Sequence, residues 1–514
     1  MKFASALLVG NALALVAAGE PAAAQSMPIN MPGMTMPTPP QRTAKKKTAV
    51  KKKATAKKAG SNKPASKKAP AKAMPMEHGG MKMPPQPTPS GPSQMPMDHS
   101  QTQHGTMQTR GQMNMPTGEH AGHEMAMTGV LGRYPMERES SGTAWQPDSS
   151  KHMGLMTMSG DWTLMAHGAV NLVYDHQSGP RGDDKAFASG MLMGMARRPL
   201  GNGTVQLRAS ISPDPLMGPR GYPLVLASGE TANGTDRLID RQHPHDFFME
   251  MSASVSQNVG PKSSLFLYAG LPGEPAFGPP AFMHRESIMD SPEAPITHHW
   301  LDSTHISFGV FTAGAVLDRV KLEVSRFNGR EPDQHRWNIE TGTLDSTAIR
   351  LSWNPTRTLA LQGSWGHFKD PEQIEPGVDQ KRWSASALYA REITPGWKFA
   401  GTLAWGRKII DPHGQALSDD AFAAEASLNR GDWTIFGRGE ITENRELVEG
   451  DEHGPAYLVG KFSAGFVRDF RIADHLSVGA GSLFSLNFVP NSLAASYGGS
   501  NPLGAMAFVR LRLN

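Results

Sequence analysis

Cysteine is absent from all 514 residues. Disulfides and thiolate metal sites are thereby excluded, so a soft metal ligand here must be a Met thioether and a borderline one a His imidazole. Beyond the N-terminal apolar stretch, 18 consecutive apolar residues never occur, which excludes helical membrane spans. Mean hydropathy is low, and this suits a membrane β-barrel as well as a soluble protein, because barrel strands alternate apolar and polar side chains. There is no nucleophile elbow, P-loop or H-E-x-x-H. No catalytic residue, enzyme activity or organic cofactor is therefore expected.

Acidic residues are missing from one tract. Arg42 to Lys72 holds Arg42 and 12 Lys and no Asp or Glu, about +13, which leaves about −9 for the remainder of a chain whose net charge is +4. Basic character thus belongs to one segment. Lys2, the apolar run Ala4–Ala18 and Ala22-Ala23-Ala24 read as a secretory signal peptide over 1–24. After export the Lys tract has no nucleic acid to meet; lipopolysaccharide phosphates and cell-wall polymers are the partners it suits, and a solvated spacer is the alternative.

Residues 25–155 show no sustained strand or helix period and are rich in Pro, Met, Gln, Thr, Gly and Lys, so a long disordered N-terminal arm is expected. Of 30 Met, 15 fall between residues 25 and 128, many as M-x-M followed by acid or imidazole. The candidate ligands are Met74, Met76 and His78; Met95, Met97 and His99; and His120, His123, Met125 and Met127. Thioethers suit Cu(I) or Ag(I), and imidazoles suit both copper states. The alternative is a Met-biased linker with no ligand role.

From 156 to 514 the texture becomes all-β. Sixteen segments of alternating hydrophobicity lie near 160–176, 186–198, 202–213, 245–258, 262–271, 303–315, 318–328, 344–354, 357–368, 381–392, 396–408, 419–430, 432–444, 456–471, 474–488 and 502–513. Val320, Leu322 and Val324, for example, oppose Lys321 and Glu323. Short connections such as Gly260-Pro261 and Arg430-Gly431-Asp432 alternate strictly with long ones. The pattern predicts a transmembrane antiparallel β-barrel of about 16 strands, with tight periplasmic turns and long outside loops. Trp162, Trp353, Trp365, Trp383, Trp397, Trp405 and Trp433 are expected at the membrane interfaces.

Six of 19 His fall in the two longest loops and the strands beside them: His243, His245, His284, His298, His299 and His305. Pro244 favours extended geometry for its neighbours, which puts His243 and His245 on one side, with His284 and His305 as completions and Asp246 or Asp302 as carboxylate partner. Strand parity places His305 toward the lumen and Ile306, Phe308 and Val310 toward lipid. A hydrogen-bonded loop plug is the competing expectation. Arg319, Lys321, Glu323, Arg350, Arg438, Glu440, Lys461, Arg510 and Arg512 share lumen parity, which suits either a water-filled pore or internal salt bridges.

The arm resembles the Met/His segments of periplasmic copper-resistance proteins, and is similar to that of outer-membrane copper-resistance protein B. The barrel, through Arg241-Gln242-His243-Pro244-His245-Asp246, Pro280-Ala281-Phe282-Met283-His284-Arg285 and His298-His299-Trp300-Leu301-Asp302-Ser303-Thr304-His305, resembles uncharacterised proteobacterial outer-membrane β-barrel proteins associated with copper handling. The resemblance implies outer-membrane localisation, copper ions as ligand or cargo, and outer-membrane lipid and periplasmic copper proteins as partners. A general or substrate-specific porin with a spacer arm stands as the alternative function, and an outer-membrane enzyme as a more distant one.

A peptide of residues 74–127 is expected to bind several Cu(I) ions, and replacing its Met by Leu to remove most of that capacity. Unchanged stoichiometry in the Leu peptide, measured by chelator competition, contradicts thioether ligation.

Overall fold

The computed structural model describes residues 127–151, 154–450 and 453–513. The signal segment, the Lys tract and the arm ligands Met74, Met76, His78, Met95, Met97, His99, His120, His123 and Met125 lie outside these residues.

The strands are β1 (Leu155–Ser159), β2 (Trp162–Gln177), β3 (Asp184–Leu200), β4 (Gly203–Ile211), β5 (Tyr222–Thr231), β6 (Arg237–Gln242), β7 (Phe248–Gly260), β8 (Ser263–Gly270), β9 (Val310–Leu317) and β10 (Val320–Phe327). They continue as β11 (Ser346–Thr356), β12 (Leu359–Phe368), β13 (Gln380–Thr394), β14 (Trp397–Ile410), β15 (Leu417–Arg430), β16 (Trp433–Asn444), β17 (Tyr457–Ala473), β18 (Leu476–Phe488) and β19 (Leu503–Leu513). β2–β4 and β7–β19 form a closed antiparallel barrel of 16 strands. Closure pairs β19 with β2 in a register running from Gly504↔Gln177 to Leu513↔Gly168. β1 continues the edge that β19 leaves, pairing Leu155 with Ala166 and Ser159 with Trp162.

Two-residue turns join β3–β4, β7–β8, β9–β10, β11–β12, β13–β14, β15–β16 and β17–β18. Such turns require left-handed backbone, which Gly396 (φ 77°) and Gly431 (φ 57°) supply without a Cβ penalty. Alternation then sorts the side chains. Leu172 and Leu403 (each 65% exposed) and Phe484 (67%) point outward to lipid, while Lys321, Glu323, Arg350, Arg438 and Lys461 point inward and are buried. Trp162, Trp397 and Trp433 each begin a strand at the short-turn end, with Arg198, Arg430 and Arg468 over their rings at 5.1, 4.9 and 5.2 Å. Trp365, Trp383 and Trp405 gather toward the long-loop end, where Trp365 faces Trp383 across a register pair. These are the two aromatic girdles of a transmembrane barrel.

The lumen is filled by chain. Residues 212–247, which include the β5–β6 hairpin, and residues 271–309 fold inward and pack on each other through Leu224, Val225, Leu226, Ile288 and Ile296. Salt bridges brace the second loop to the wall. Arg285 meets Glu425 of β15 at 2.6 Å, Asp290 meets Arg510 of β19 at 2.6 Å, and Glu293 meets Arg438 of β16 at 3.4 Å and Lys461 of β17. Within the wall, Arg350 pairs with Glu323 at 3.0 Å and Lys321 with Glu323 at 3.2 Å. Of the two readings of the inward charges, salt bridging is the one observed. Removing one partner from such a buried pair costs about 3–5 kcal/mol, because the other charge is stranded.

Three expectations are corrected. The folded part begins by Met127 rather than 156. Residues 127–151 cap the short-turn end of the lumen, where Tyr134 and Trp145 stack edge-on at 5.1 Å, and Arg138 lies over both rings and binds Asp148 at 2.7 Å. This plug is held by aperiodic contacts, so no periodicity announces it. Second, residues 303–309 are loop, not strand: Gly309 (φ 102°) interrupts the extended run, and Ile306, Phe308 and Val310 are buried inside rather than facing lipid. Third, Arg319 sits in a two-residue turn, exposed, donating to the Pro355 carbonyl at 2.6 Å.

Folded protein in mild detergent is expected to migrate differently on a gel before and after boiling. Leu403→Arg, near the middle of β14 on the lipid face, should destabilise the barrel by about 2–4 kcal/mol. A neutral outcome in a folding titration contradicts the assigned lipid face.

Candidate functional site

The inward loops carry their histidines into the lumen. Pro244 holds the 243–246 segment out of regular structure, and the His243 and His245 side chains find separate partners. His243 sets its Nε2 3.1 Å from Glu230 Oε1. His245 donates Nδ1–H to Asp214 Oδ2 at 2.8 Å. His298 and His299 lie on one helical turn, His298–Leu301, and diverge. His298 donates Nδ1–H to Asp302 Oδ1 at 2.9 Å, whereas His299 reaches Glu331 at 3.3 Å. His305 donates Nδ1–H to the Asp302 carbonyl at 2.7 Å.

Asp302 is a junction. Besides His298 and His305 it binds Arg285 at 2.6 Å, so the same guanidinium that ties the loop to Glu425 also fixes the histidine partner. Asp246, the other expected carboxylate, is held by Arg336 at 3.1 Å instead. His245 and His305 come together, with ring centroids 5.1 Å apart, and His298 lies 5.3 Å from His305. The Nε2 atoms of His245 and His305 are buried and have no hydrogen-bond partner among the described residues. His284 lines the small cavity that His305 also lines, and its ring lies 6.0 Å from that of His167 on β2.

Burial dominates the ionisation of these loop groups. It holds His243 well below the usual imidazole value, with Arg336 adding to the effect. It lowers His298 despite the pull of Asp302, and it drives His284 well down with His167 beside it. His305 is pushed down to about 3 by burial and by the neighbouring His245 and His298. Burial alone would lower His299 too, but the carboxylates of Glu331, Glu446 and Glu230 together outweigh it and the value rises.

Sequence reasoning missed the methionines of the lumen. β3 carries Met191, Met193 and Met195 at alternate positions with inward parity, and Met191 and Met193 are buried. Met165 of β2, Met249 of β7 and the loop residue Met283 join them. The M-x-M-x-M spacing inside a strand, where lumen positions are otherwise polar, is the signal that finds them. Their sulfurs accept weak contacts from Ser210 at 3.9 Å and Gln206 at 4.0 Å.

Three adjoining cavities follow these side chains. One of about 90 Å³ is lined by Met136 of the plug, Met165, His167, Met193, Met195 and His284. A second of about 80 Å³ shares His167 with the first and is lined by Met191, His243, His245 and Met283. A third of about 20 Å³ holds Met191, Met193, Met249, Met283, His284 and His305 between them. The lining residues run from Arg197 and Gln206, near the short turns, to His243 and His245 near the long loops. Thioethers and imidazoles thus run through the buried interior, among charged side chains such as Asp214, Arg208 and Glu250.

No family model and no curated protein matches the chain. Among solved structures, the chain has weak likeness to Salmonella typhi OmpF in complex with daunomycin, at 11% identity, 70% of this chain, 100% of that one and TM-score 0.44. It has similar likeness to an anion-selective porin from Comamonas acidovorans, at 13% identity, 68% and 100% coverage and TM-score 0.40. Pseudomonas aeruginosa OpdK with vanillate follows at 9%, 68%, 98% and 0.36.

Acid should loosen the inward loops. His243, His284, His298 and His305 are neutral when packed but protonate below about pH 6.5 when released. Their folded values are lowered, so the packing is fully stable above that pH and weakens as pH falls, for His305 until about 3. His299, raised, opposes this in part. Proteolytic nicking within 213–247 and 271–309 is expected to rise several-fold between about pH 7 and pH 4.5. A flat profile contradicts neutral burial.

Proposed function

We propose that this chain is an outer-membrane barrel that binds and passes a soft metal ion of the Cu(I) or Ag(I) class through an occluded interior, with its Met/His-rich arm collecting the same ion on the periplasmic side. The observation that carries this reading is the column of inward thioethers and imidazoles on β2, β3 and the two inward loops. A barrel lumen is ordinarily polar, because water or paired charge fills it. Thioethers there pack as adaptable apolar side chains, and their neutral sulfur is in addition a good donor for a soft partner. A hard cation finds no such advantage.

The occlusion supports a carrier of few ions over an open general pore. Arg285, Glu293 and Asp290 lash the 271–309 loop across the lumen, and residues 127–151 fill the short-turn end. His120, His123 and Met125 lie just before this plug in the sequence and Met127 is its first residue, so ligands in the sequence run up to the ligands in the barrel. Outer-membrane lipid and lipopolysaccharide surround the barrel in this account, and periplasmic copper proteins are the exchange partners that the arm would meet.

The test is flux. In proteoliposomes, wild-type protein is expected to pass Ag(I) or Cu(I) faster than empty vesicles, and Met191→Leu/Met193→Leu/Met195→Leu to lose most of that rate while retaining heat-modifiable mobility. Leu matches Met in volume, so the packing cost is below about 1.5 kcal/mol per site and the lost atom is sulfur. Equal flux from the triple variant contradicts the reading.

A further inference from the structure

We propose that His245, His305 and Met283 form one buried site for a single monovalent soft cation of the Cu(I) class, with Met191 beside it as a further thioether. The proposal rests on the soft-metal reading above and names the point where the ion is held.

The tautomers come first. A backbone carbonyl and a carboxylate only accept hydrogen bonds. His305 Nδ1 lies 2.7 Å from the Asp302 carbonyl oxygen, and His245 Nδ1 lies 2.8 Å from Asp214 Oδ2. Each Nδ1 therefore carries the proton, and each Nε2 presents a bare lone pair. An oxygen partner on the far nitrogen is how proteins orient a metal-binding imidazole. Both Nε2 atoms are buried and without a hydrogen-bond partner among the described residues. Buried polar atoms are rarely left so, and a lone pair without a donor asks for a Lewis acid or a water. The rings stand 5.1 Å apart at 69°, which lets two Nε2 atoms converge on one ion.

Sulfur completes the set. Met191 and Met283 line both the cavity that contains His245 and the one that contains His305, so they stand at the junction of the two imidazoles. Among the described residues, no group of three or more His, Cys, Asp or Glu is gathered for a metal. A cation that demands four nitrogen or oxygen ligands lacks its set here, whereas two imidazoles and a thioether suit a low-coordinate soft ion. His243, by contrast, has its Nε2 beside Glu230, and His284 lies next to His167.

The test titrates the full-length protein in detergent with Cu(I) against a competing chelator, without oxygen. Wild type is compared with His245→Ala/His305→Ala, Met283→Leu and Asp214→Asn, and gel mobility before and after boiling reports folding. The double variant is expected to bind one ion fewer, all of it from the tightest class. Asp214→Asn, which touches no ion but disturbs the orientation of His245, should weaken that class by about 10–100-fold. If the double variant does not fold, His305→Asn is the substitute and should lose the same ion. A folded variant with unchanged stoichiometry and tightest affinity overturns the site. That result together with Met-dependent flux leaves the passage reading standing, while loss of one ion without any flux in wild type removes passage and keeps the site.

Discussion

A closed sheet of sixteen strands encloses more space than its own inward side chains fill, and in this chain the inward positions carry charges that cannot remain unpaired. That constraint organises the molecule. Arg438 pairs with Glu440 of its own strand at 2.9 Å, and Glu293 of the 271–309 loop supplies the anion that meets both Arg438 and Lys461 of the adjacent strand. Glu425 of β15 needs a cation, and Arg285 of the same loop answers. The loop is drawn into the lumen by these pairs, and the 212–247 loop packs behind it through Leu224, Val225 and Leu226.

The chemistry follows from that anchoring. Arg285 binds both Glu425 and Asp302, and Asp302 in turn holds His298 by its side chain and His305 by its carbonyl. One wall-to-loop ion pair thus sets the imidazole geometry. Methionine gathers along β2 and β3, in cavities that Arg197, Asp214 and Glu250 also line. Met adapts its shape and fills the irregular gap between wall and loop, and it lines the same cavities as His167, His284, His245 and His305.

How much of this was legible in the sequence depends on whether a contact leaves a period. The sixteen strands were legible because alternation and the alternating short and long connections repeat along the chain, and every segment has its strand. The lipid face of the last strand was legible too, with Val509 and Leu511 outward and Arg510 and Arg512 inward. The plug was not, since Tyr134, Arg138, Trp145 and Asp148 meet through a turn with no repeat. Loop histidines were visible as a cluster, but their sorting was not. His245 takes Asp214, 31 residues away, and His243 takes Glu230, pairings that no local rule gives. The run at 303–309 misled because a buried loop also alternates, here Ile306 and Phe308 against His305 and Ser307, with both sets inside.

The central claim is that soft metal resides within the barrel and not only on the arm. Crystals of the folded full-length protein grown with Ag(I) put it to the most direct test, because anomalous scattering locates the ion without regard to function. The account predicts peaks inside the lumen, beside Met191, Met193 and Met283 and between His245 and His305. An interior free of anomalous density, with silver bound by protein in solution, would contradict it.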